Sequence, residues 1–453
     1  MPSKIRFFVL SLLLAPLLFV SNAAAETNSE VEQLKKQILE IQRQNQKQIE
    51  MLQQKIESME TKRASSDLKV EEFIAKKESE DEDAWWKGIR AGYKKGFFME
   101  SADGNFKTRF RTVGQFLMQV EDEDGGDTVT EFDIQRLRLI WDGNAFAPWF
   151  KYKVQLDIRE DSINLRDLIF DFAYNPLFVP RVGQYKVPFN KEQLVSAFAQ
   201  QTVNRSILDR QFSPQRDTGI SIHGKHGGYF WYHVGVFQGE GRNSDEGDEN
   251  AADSNILWAG RVMFNPLGTG VKHQQNFVKQ TTIQLGAAIM GLDSDIVGEG
   301  NTALADETDS RNFRSRGGDF AAIGATDMQM LSWAFDVSLM HPRGNIEASY
   351  IGADYDPSGT SQGSVYDQGF RVQAGVFLIP KVLEVAARYA YVDLDDDLGD
   401  TDSIWEITPA VSYFLGQSHR WKVVADYSFI QEEGVDGTEE DTNRFRLQLQ
   451  AYF

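Results

Sequence analysis

Arginines and lysines recurring at every second position are the residues of this chain best suited to chemistry, and what they suit is the binding of anions. Arg109 and Arg111 lie in a run that begins at Lys107, Arg136 and Arg138 in the next run, and Lys151 and Lys153 in the one after. A spacing of two puts each pair on one face of a β-strand. Pairing the three runs by the lengths of their connections brings Arg111, Arg138, Lys151 and Lys153 together on one wall, with Arg109 and Arg136 close. Guanidinium forks match the oxygens of phosphate and carboxylate two at a time. The same cations have a plainer use, because Asp157, Asp167, Asp171, Asp209 and Asp217 stand where they could pair with them and satisfy the wall.

Covalent chemistry has little to draw on. Cysteine is absent, which removes disulfides and thiol catalysis. The six histidines give one close pair, His223 and His226, with no third ligand nearby. The chain has no Walker loop or His-Glu-x-x-His motif. Asp393, Asp395 and Asp397 begin like a calcium loop, but Leu398 occupies the glycine position and Ile404 the bidentate glutamate position. No enzyme activity, cofactor or metal is therefore expected.

The formal net charge of -20 argues against a nucleic-acid partner. Residues 107–225 hold 16 Lys+Arg and 16 Asp+Glu, and residues 226–453 hold 15 and 34, so any basic surface must be local. Much of the acidic excess falls in polar connections such as 244–250, 394–400 and 432–441, where divalent ions could bridge it to lipopolysaccharide.

Lys4 and Arg6, an apolar run to Val20, and Ala23-Ala24-Ala25 make a secretory signal over residues 1–25. Residues 26–62 place Val31, Leu34, Ile38, Ile41, Asn45, Gln48 and Leu52 at spacings of three and four, and Ile49, Leu52, Ile56 and Met59 continue the seam after a phase shift. This predicts a short α-helical coiled coil, with a solitary helix as the alternative. A charged linker and lead-in follow over 63–105.

From residue 106 to 453 the pattern alternates without a break. Strands are predicted to begin near residues 107, 131, 149, 165, 180, 217, 228, 256, 281, 329, 345, 365, 382, 403, 420 and 443. Long polar connections fall on one side and short turns on the other. The last run shows the pattern best: Phe445, Leu447, Leu449, Ala451 and Phe453 share one face, and Arg444, Arg446, Gln448 and Gln450 the other. Sixteen strands enclose a lumen too wide to fill with side chains. Apolar outside and polar inside is then stable only in lipid around a water-filled hole, which predicts an all-β transmembrane barrel of sixteen antiparallel strands. Trp141, Trp149, Tyr174, Tyr185, Trp231, Trp258 and Tyr413 are expected in interfacial girdles or between subunits. The last strand is expected to close on Lys107–Val120, with Arg444 and Arg446 beside Arg109, Arg111 and Arg138.

Residues 181–219 resemble the phosphate-selective porin family (porins O and P). The resemblance rests on Arg181-Val182-Gly183-Gln184, Pro188-Phe189 after a lysine, Arg205 with Leu208, and Phe212-Ser213-Pro214-Gln215-Arg216-Asp217-Thr218-Gly219. Asp103-Gly104-Asn105-Phe106 and Arg136-Leu137-Arg138-Leu139 also match, and the likeness spans roughly residues 93–453. It implies a homotrimer of sixteen-stranded barrels in the Gram-negative outer membrane, each narrowed by an inward-folded loop. By position that loop is residues 188–216, with Lys186, Lys191, Arg205, Arg210 and Arg216 on or beside it. The expectation is a passive porin for small hydrophilic solutes, anions such as phosphate first, with its N-terminal segment in the periplasm. A sugar or cation pore on the same scaffold is the alternative, as is a tether whose coiled coil reaches toward the cell wall.

Overall fold

Alternation of side chains is what the fold is made from. In the last strand Phe445, Leu447 and Leu449 are 39%, 38% and 45% exposed, whereas Arg446, Gln448 and Gln450 are 2%, 2% and 0% exposed. One face looks out of the sheet and the other into an enclosed interior. The computed structural model describes residues 39–40, 43, 46–60, 88–159, 162–239, 241–242, 256–271, 274, 277, 279–295, 319–320, 322–416 and 418–453.

Two short strands, β1 (Arg90–Tyr93) and β2 (Phe97–Glu100), form a hairpin ahead of the main sheet. The sheet then runs through β3 (Lys107–Glu123), β4 (Val129–Asn144), β5 (Phe150–Arg159), β6 (Ser162–Phe172), β7 (Val179–Lys186), β8 (Arg216–His226), β9 (Phe230–Phe237) and β10 (Ile256–Phe264). It continues through β11 (Thr282–Asp295), β12 (Asp327–His341), β13 (Gly344–Ser358), β14 (Val365–Ile379), β15 (Leu383–Asp393), β16 (Thr401–Phe414), β17 (Trp421–Gly434) and β18 (Glu439–Tyr452).

Each strand from β3 to β18 pairs antiparallel with its sequence neighbours, and β18 pairs with β3 from Tyr452↔Val113 to Thr442↔Glu123. The result is a closed barrel of sixteen strands. Closure leaves no bare edge, the condition for a sheet to stand in lipid. The sixteen predicted strand starts fall on these elements. Two segments share one edge of β3: β2 takes it up to Phe110, and Phe453 pairs with Thr112 just beyond.

Short turns such as 342–343 and 380–382 gather at one end of the barrel and long connections at the other. Val234, Val262, Phe335, Val372, Ile407 and Val411 are among the outward apolar residues, as lipid contact requires. Outward rings cluster at the short-turn end of β4 to β6, where Trp149 stacks on Tyr174 at 3.8 Å and Phe150 packs on Phe170 and Phe172 at 5.8 and 5.4 Å.

Within the N-terminal unit, residues 46–60 form helix α1. Ile49, Leu52, Ile56 and Met59 on it are 48–62% exposed, so the apolar seam has no partner within the described residues. The expected leader 1–25, most of 26–45, and 61–87 lie outside the described residues.

Candidate functional site

The connection between β7 and β8 does not leave the barrel. Residues 187–215 fold as two short helices, α2 (Lys191–Leu194) and α3 (Ile207–Phe212), with a 3-10 turn at Ala197–Ala199 between them. Each start is capped by a side chain that accepts a backbone N–H: Asn190 from Glu192, Ser196 from Phe198, and Ser206 from Asp209. The segment then reaches across the lumen. Arg261 of β10 donates to the Phe189 carbonyl at 2.7 Å, and Lys191 bridges Ser338 and Glu347 of β12 and β13. Gln201 donates to Asn345 and Glu384, both at 2.8 Å. Arg388 donates to Thr202 at 2.6 Å, Lys422 to the Gln200 carbonyl at 2.7 Å, and the Val203 N–H to Asp426 at 2.7 Å.

Apolar anchors complete the seat. Phe189, Leu208 and Phe212 are buried in one cluster with Tyr185, Phe237, Tyr355 and Val392 of the barrel. Two glycines of β14 make room for them. A Cβ at Gly375 would lie 2.0 Å from Nε2 of Gln201, and one at Gly369 would lie 2.7 Å from Cδ1 of Leu208.

A second connection enters from the opposite end. Residues 265–281, between β10 and β11, are long for the short-turn side. The Gln274 N–H donates to the Ala199 carbonyl at 3.1 Å, and Gln274 Oε1 accepts from the Gln201 N–H at 3.0 Å. Phe277 packs edge-on against Phe377, Phe414 and His419 of the far wall. This strap was not foreseen in the sequence, where its only signal is an unusual length between two strands.

Cavities lie on both sides of the inward loop. The one toward the short turns has a volume of about 430 Å³ and is lined by Arg138, Lys153, Arg181, Lys186, Lys191 and Arg216, with Asp167 as its lining carboxylate. On the long-loop side a cavity of about 200 Å³ holds Arg136, Arg166, Arg205 and Arg210 with Glu131, Asp133 and Asp209. A narrow recess adjoining it through Arg205 and Arg210 adds Arg388, Arg444 and Arg446 with Glu406. Between the two sides the carbonyls of α2 are gripped by two cations. Lys186 donates to those of Gln193 and Val195 at 2.5 and 3.0 Å, and Arg205 to those of Glu192 and Val195 at 3.3 and 3.2 Å.

Most of the expected wall cations are matched by acids. Arg138 pairs with Asp157 at 3.2 Å, Asp167 is shared by Lys153 at 2.5 Å and Arg216 at 2.7 Å, and Arg205 lies 3.5 Å from Asp209. Arg136 donates to Gln115 and Gln135, and Lys151 lies exposed near the short turns, in register with Asn144 and Asp171. Arg109 and Arg111 converge on Asp142, itself in register with Lys153.

A bulge between Gln115 and Leu117 sets the hairpin register, with Arg138 against Val113 and Arg111 against Ile140, the next pair on the same face. Two sequence expectations need correction. Arg444 and Arg446 are not beside Arg109, Arg111 and Arg138; the seam register sets them across from Glu121 and Gln119, because β18 ends at Val113 and leaves the start of β3 to β2. Tyr185 and Trp231 are not girdle residues. Tyr185 is 1% exposed and Trp231 lines the short-turn cavity, since alternation within β7 and β9 turns both inward.

Sequence reasoning missed Arg371 and Arg388, which hold Glu192 of the loop at 3.5 and 3.7 Å. Each lies alone in its strand, so no doublet marks it. Glu192 also accepts from the Ser206 hydroxyl at 2.5 Å. Burial opposes its ionisation, but the two guanidinium groups and Ser206 outweigh it and hold the carboxyl below its ordinary value. Asp209 goes the other way: burial pushes its carboxyl up to about 7, Glu192 adds to the rise, and Arg205 opposes it.

A closed barrel whose charged middle is narrowed from within is the architecture of a channel. A sequence model for phosphate-selective porin O and P matches residues 106–453. The chain belongs to that family. Family and fold point to an outer-membrane channel. A curated relative, an uncharacterized protein of Aquifex aeolicus (strain VF5), is 24% identical over 301 residues. The match covers 62% of the porin and 66% of that protein, so the chain spans just under two thirds of its length. Among solved structures, the porin is similar to the DcaP outer-membrane channel of Acinetobacter baumannii (TM-score 0.52, 11% identity, 76% of this chain and 97% of that one). It is also similar to an anion-selective porin from Comamonas acidovorans (TM-score 0.51, 13% identity, 76% and 99%) and to Salmonella typhi OmpF in complex with daunomycin (TM-score 0.50, 12% identity, 80% and 100%). At these identities the likeness extends to the fold.

Proposed function

We propose that the porin is a passive, anion-preferring diffusion channel with residues 187–215 as its constriction, small anions such as phosphate as its solutes, and long connections facing outward from the cell. The observation that carries this is the lining of the short-turn cavity, six cations against one carboxylate. A pore selects by width and by the charges at its narrowest part. Lys186 is the decisive residue, because its ammonium group is held by neutral carbonyl oxygens on the loop rather than by a carboxylate. The outward aromatic cluster of β4 to β6 suits a subunit surface and supports assembly as a homotrimer.

The test is electrical. In planar bilayers under a potassium chloride gradient, the reversal potential should show chloride preference, and added phosphate should block the chloride current. Lys186→Gln should raise the half-blocking phosphate concentration about tenfold, equivalent to about 1.4 kcal/mol. An unchanged block, or a cation-preferring reversal potential, would sink the anion clause and favour the sugar or cation pore, a reading that the acidic strand ends around Glu432, Glu433, Glu439 and Glu440 support.

The N-terminal segment is proposed to lie in the periplasm and to act in assembly. Removing residues 26–62 should leave conductance per barrel unchanged and lower the trimer fraction on native gels. Intact trimers with a weakened envelope would favour a tether to the cell wall instead.

A further inference from the structure

The short-turn cavity offers more than the cations that a bare inorganic ion needs. In a water-filled barrel the inward positions are expected to be polar, yet here Ile169 of β6, Tyr185 of β7, Trp231 of β9 and Met263 of β10 all face it. Trp231 and Met263 are direct cross-strand partners and both are only half-buried, so protein does not fully cover them. The inward loop adds Phe198, with the Arg138 guanidinium 5.4 Å from its ring centre; Arg181 lies 5.2 Å from the ring of Tyr185. Apolar flats and cations thus alternate around one enclosure of about 430 Å³, within the size range of small-molecule sites. Inorganic phosphate gains nothing from the apolar part, and water against Trp231 and Met263 is displaced favourably only by an apolar group.

We infer that this cavity is a binding site for small organic anions with a flat apolar body, of the aryl phosphate or aryl carboxylate class. The ring lies against Trp231, Met263 and Phe198, and the anionic group points to Lys186 and Arg216. This rests on the anion-channel reading and names its preferred solute class. The apolar lining does more than pack the loop: it gives the channel a means of ranking anions of equal charge.

Full-length mature porin in planar bilayers tests it with two probes of matching charge, methyl phosphate and phenyl phosphate, each titrated against the chloride current. Phenyl phosphate should reach half-block at about one tenth the concentration of methyl phosphate, the gain expected for burying most of a ring. Trp231→Ala should shrink that ratio toward one by weakening block by phenyl phosphate more than block by methyl phosphate. Equal half-blocking concentrations in the native channel, with chloride preference intact, overturn this inference alone. A ratio that survives Trp231→Ala overturns the assignment to this cavity. Cation preference in the reversal potential fails the underlying reading instead. The native two-probe ratio stands whether or not the variant inserts.

Discussion

Two carboxyl groups on the inward loop, Glu192 and Asp209, are pushed in opposite directions by their surroundings. Asp209 is met by Arg205 on its own turn, by the Asn190 amide at 2.8 Å, and electrostatically by Glu192, Lys186 and Arg371. With its carboxyl raised to about 7 it holds a proton in mildly acidic solution and loses it above neutrality. Ionisation adds a negative charge beside Arg205 on the long-loop side of the constriction. Chloride conductance should therefore fall as pH rises from 6 to 8, and Asp209→Asn should flatten that profile, as read from single-channel currents. Stability follows the same sign: the folded state binds this proton more tightly than the unfolded chain, so its contribution is full at low pH and is lost between the ordinary carboxylate range and pH 7. The cationic doublets of the first hairpins were legible from sequence because a spacing of two is a local signal. Their partners were legible only in part: Asp157 and Asp167, expected as partners, pair with Arg138 and Lys153. Asp142 gathers Arg109 and Arg111 through a bulged register that only the assembled sheet defines, and Arg388 meets Glu192 across the lumen.

At the scale of elements, the strands were legible and the segments that enter the barrel were only partly so. Period-two alternation marks β12 to β18 almost residue by residue, because one face meets an apolar phase and the other a wet one. The inward loop had length and a family likeness to mark it. The connection at 265–281 had length alone, and its hold on the loop depends on Gln274, one amide among many. The seat on β14 offers a direct handle on the loop. Gly375→Leu puts a branched side chain where Gln201 now lies, and the hydrogen bonds from Gln201 to Asn345 and Glu384 leave little slack. The loop should lift from that wall, so the variant should show larger single-channel conductance and weaker anion preference. Unchanged conductance would mean that the passage does not run along β14.

For the whole molecule, the outer face must be treated as solvated by hydrocarbon. Val372, midway along β14 and facing outward, should tolerate leucine but not arginine. Val372→Arg should lower the unfolding free energy in a reconstituted bilayer by about 2–4 kcal/mol, the cost of a cation near the midplane. Inside, the barrel is bound by ion pairs nearly without solvent, such as Arg446 with Asp426 at 2.8 Å and Arg388 with Glu406 at 2.7 Å, where removing one partner costs about 3–5 kcal/mol. The seam between β18 and β3 imposes an order in time. The first strand of the barrel is synthesised well before its proper neighbour, β18, which follows it by fifteen strands. Until Tyr452 reaches Val113, neither end of the sheet can be left bare in hydrocarbon. The sheet is therefore protected in hydrocarbon only once β18 has met β3, and that one contact commits the barrel to the bilayer.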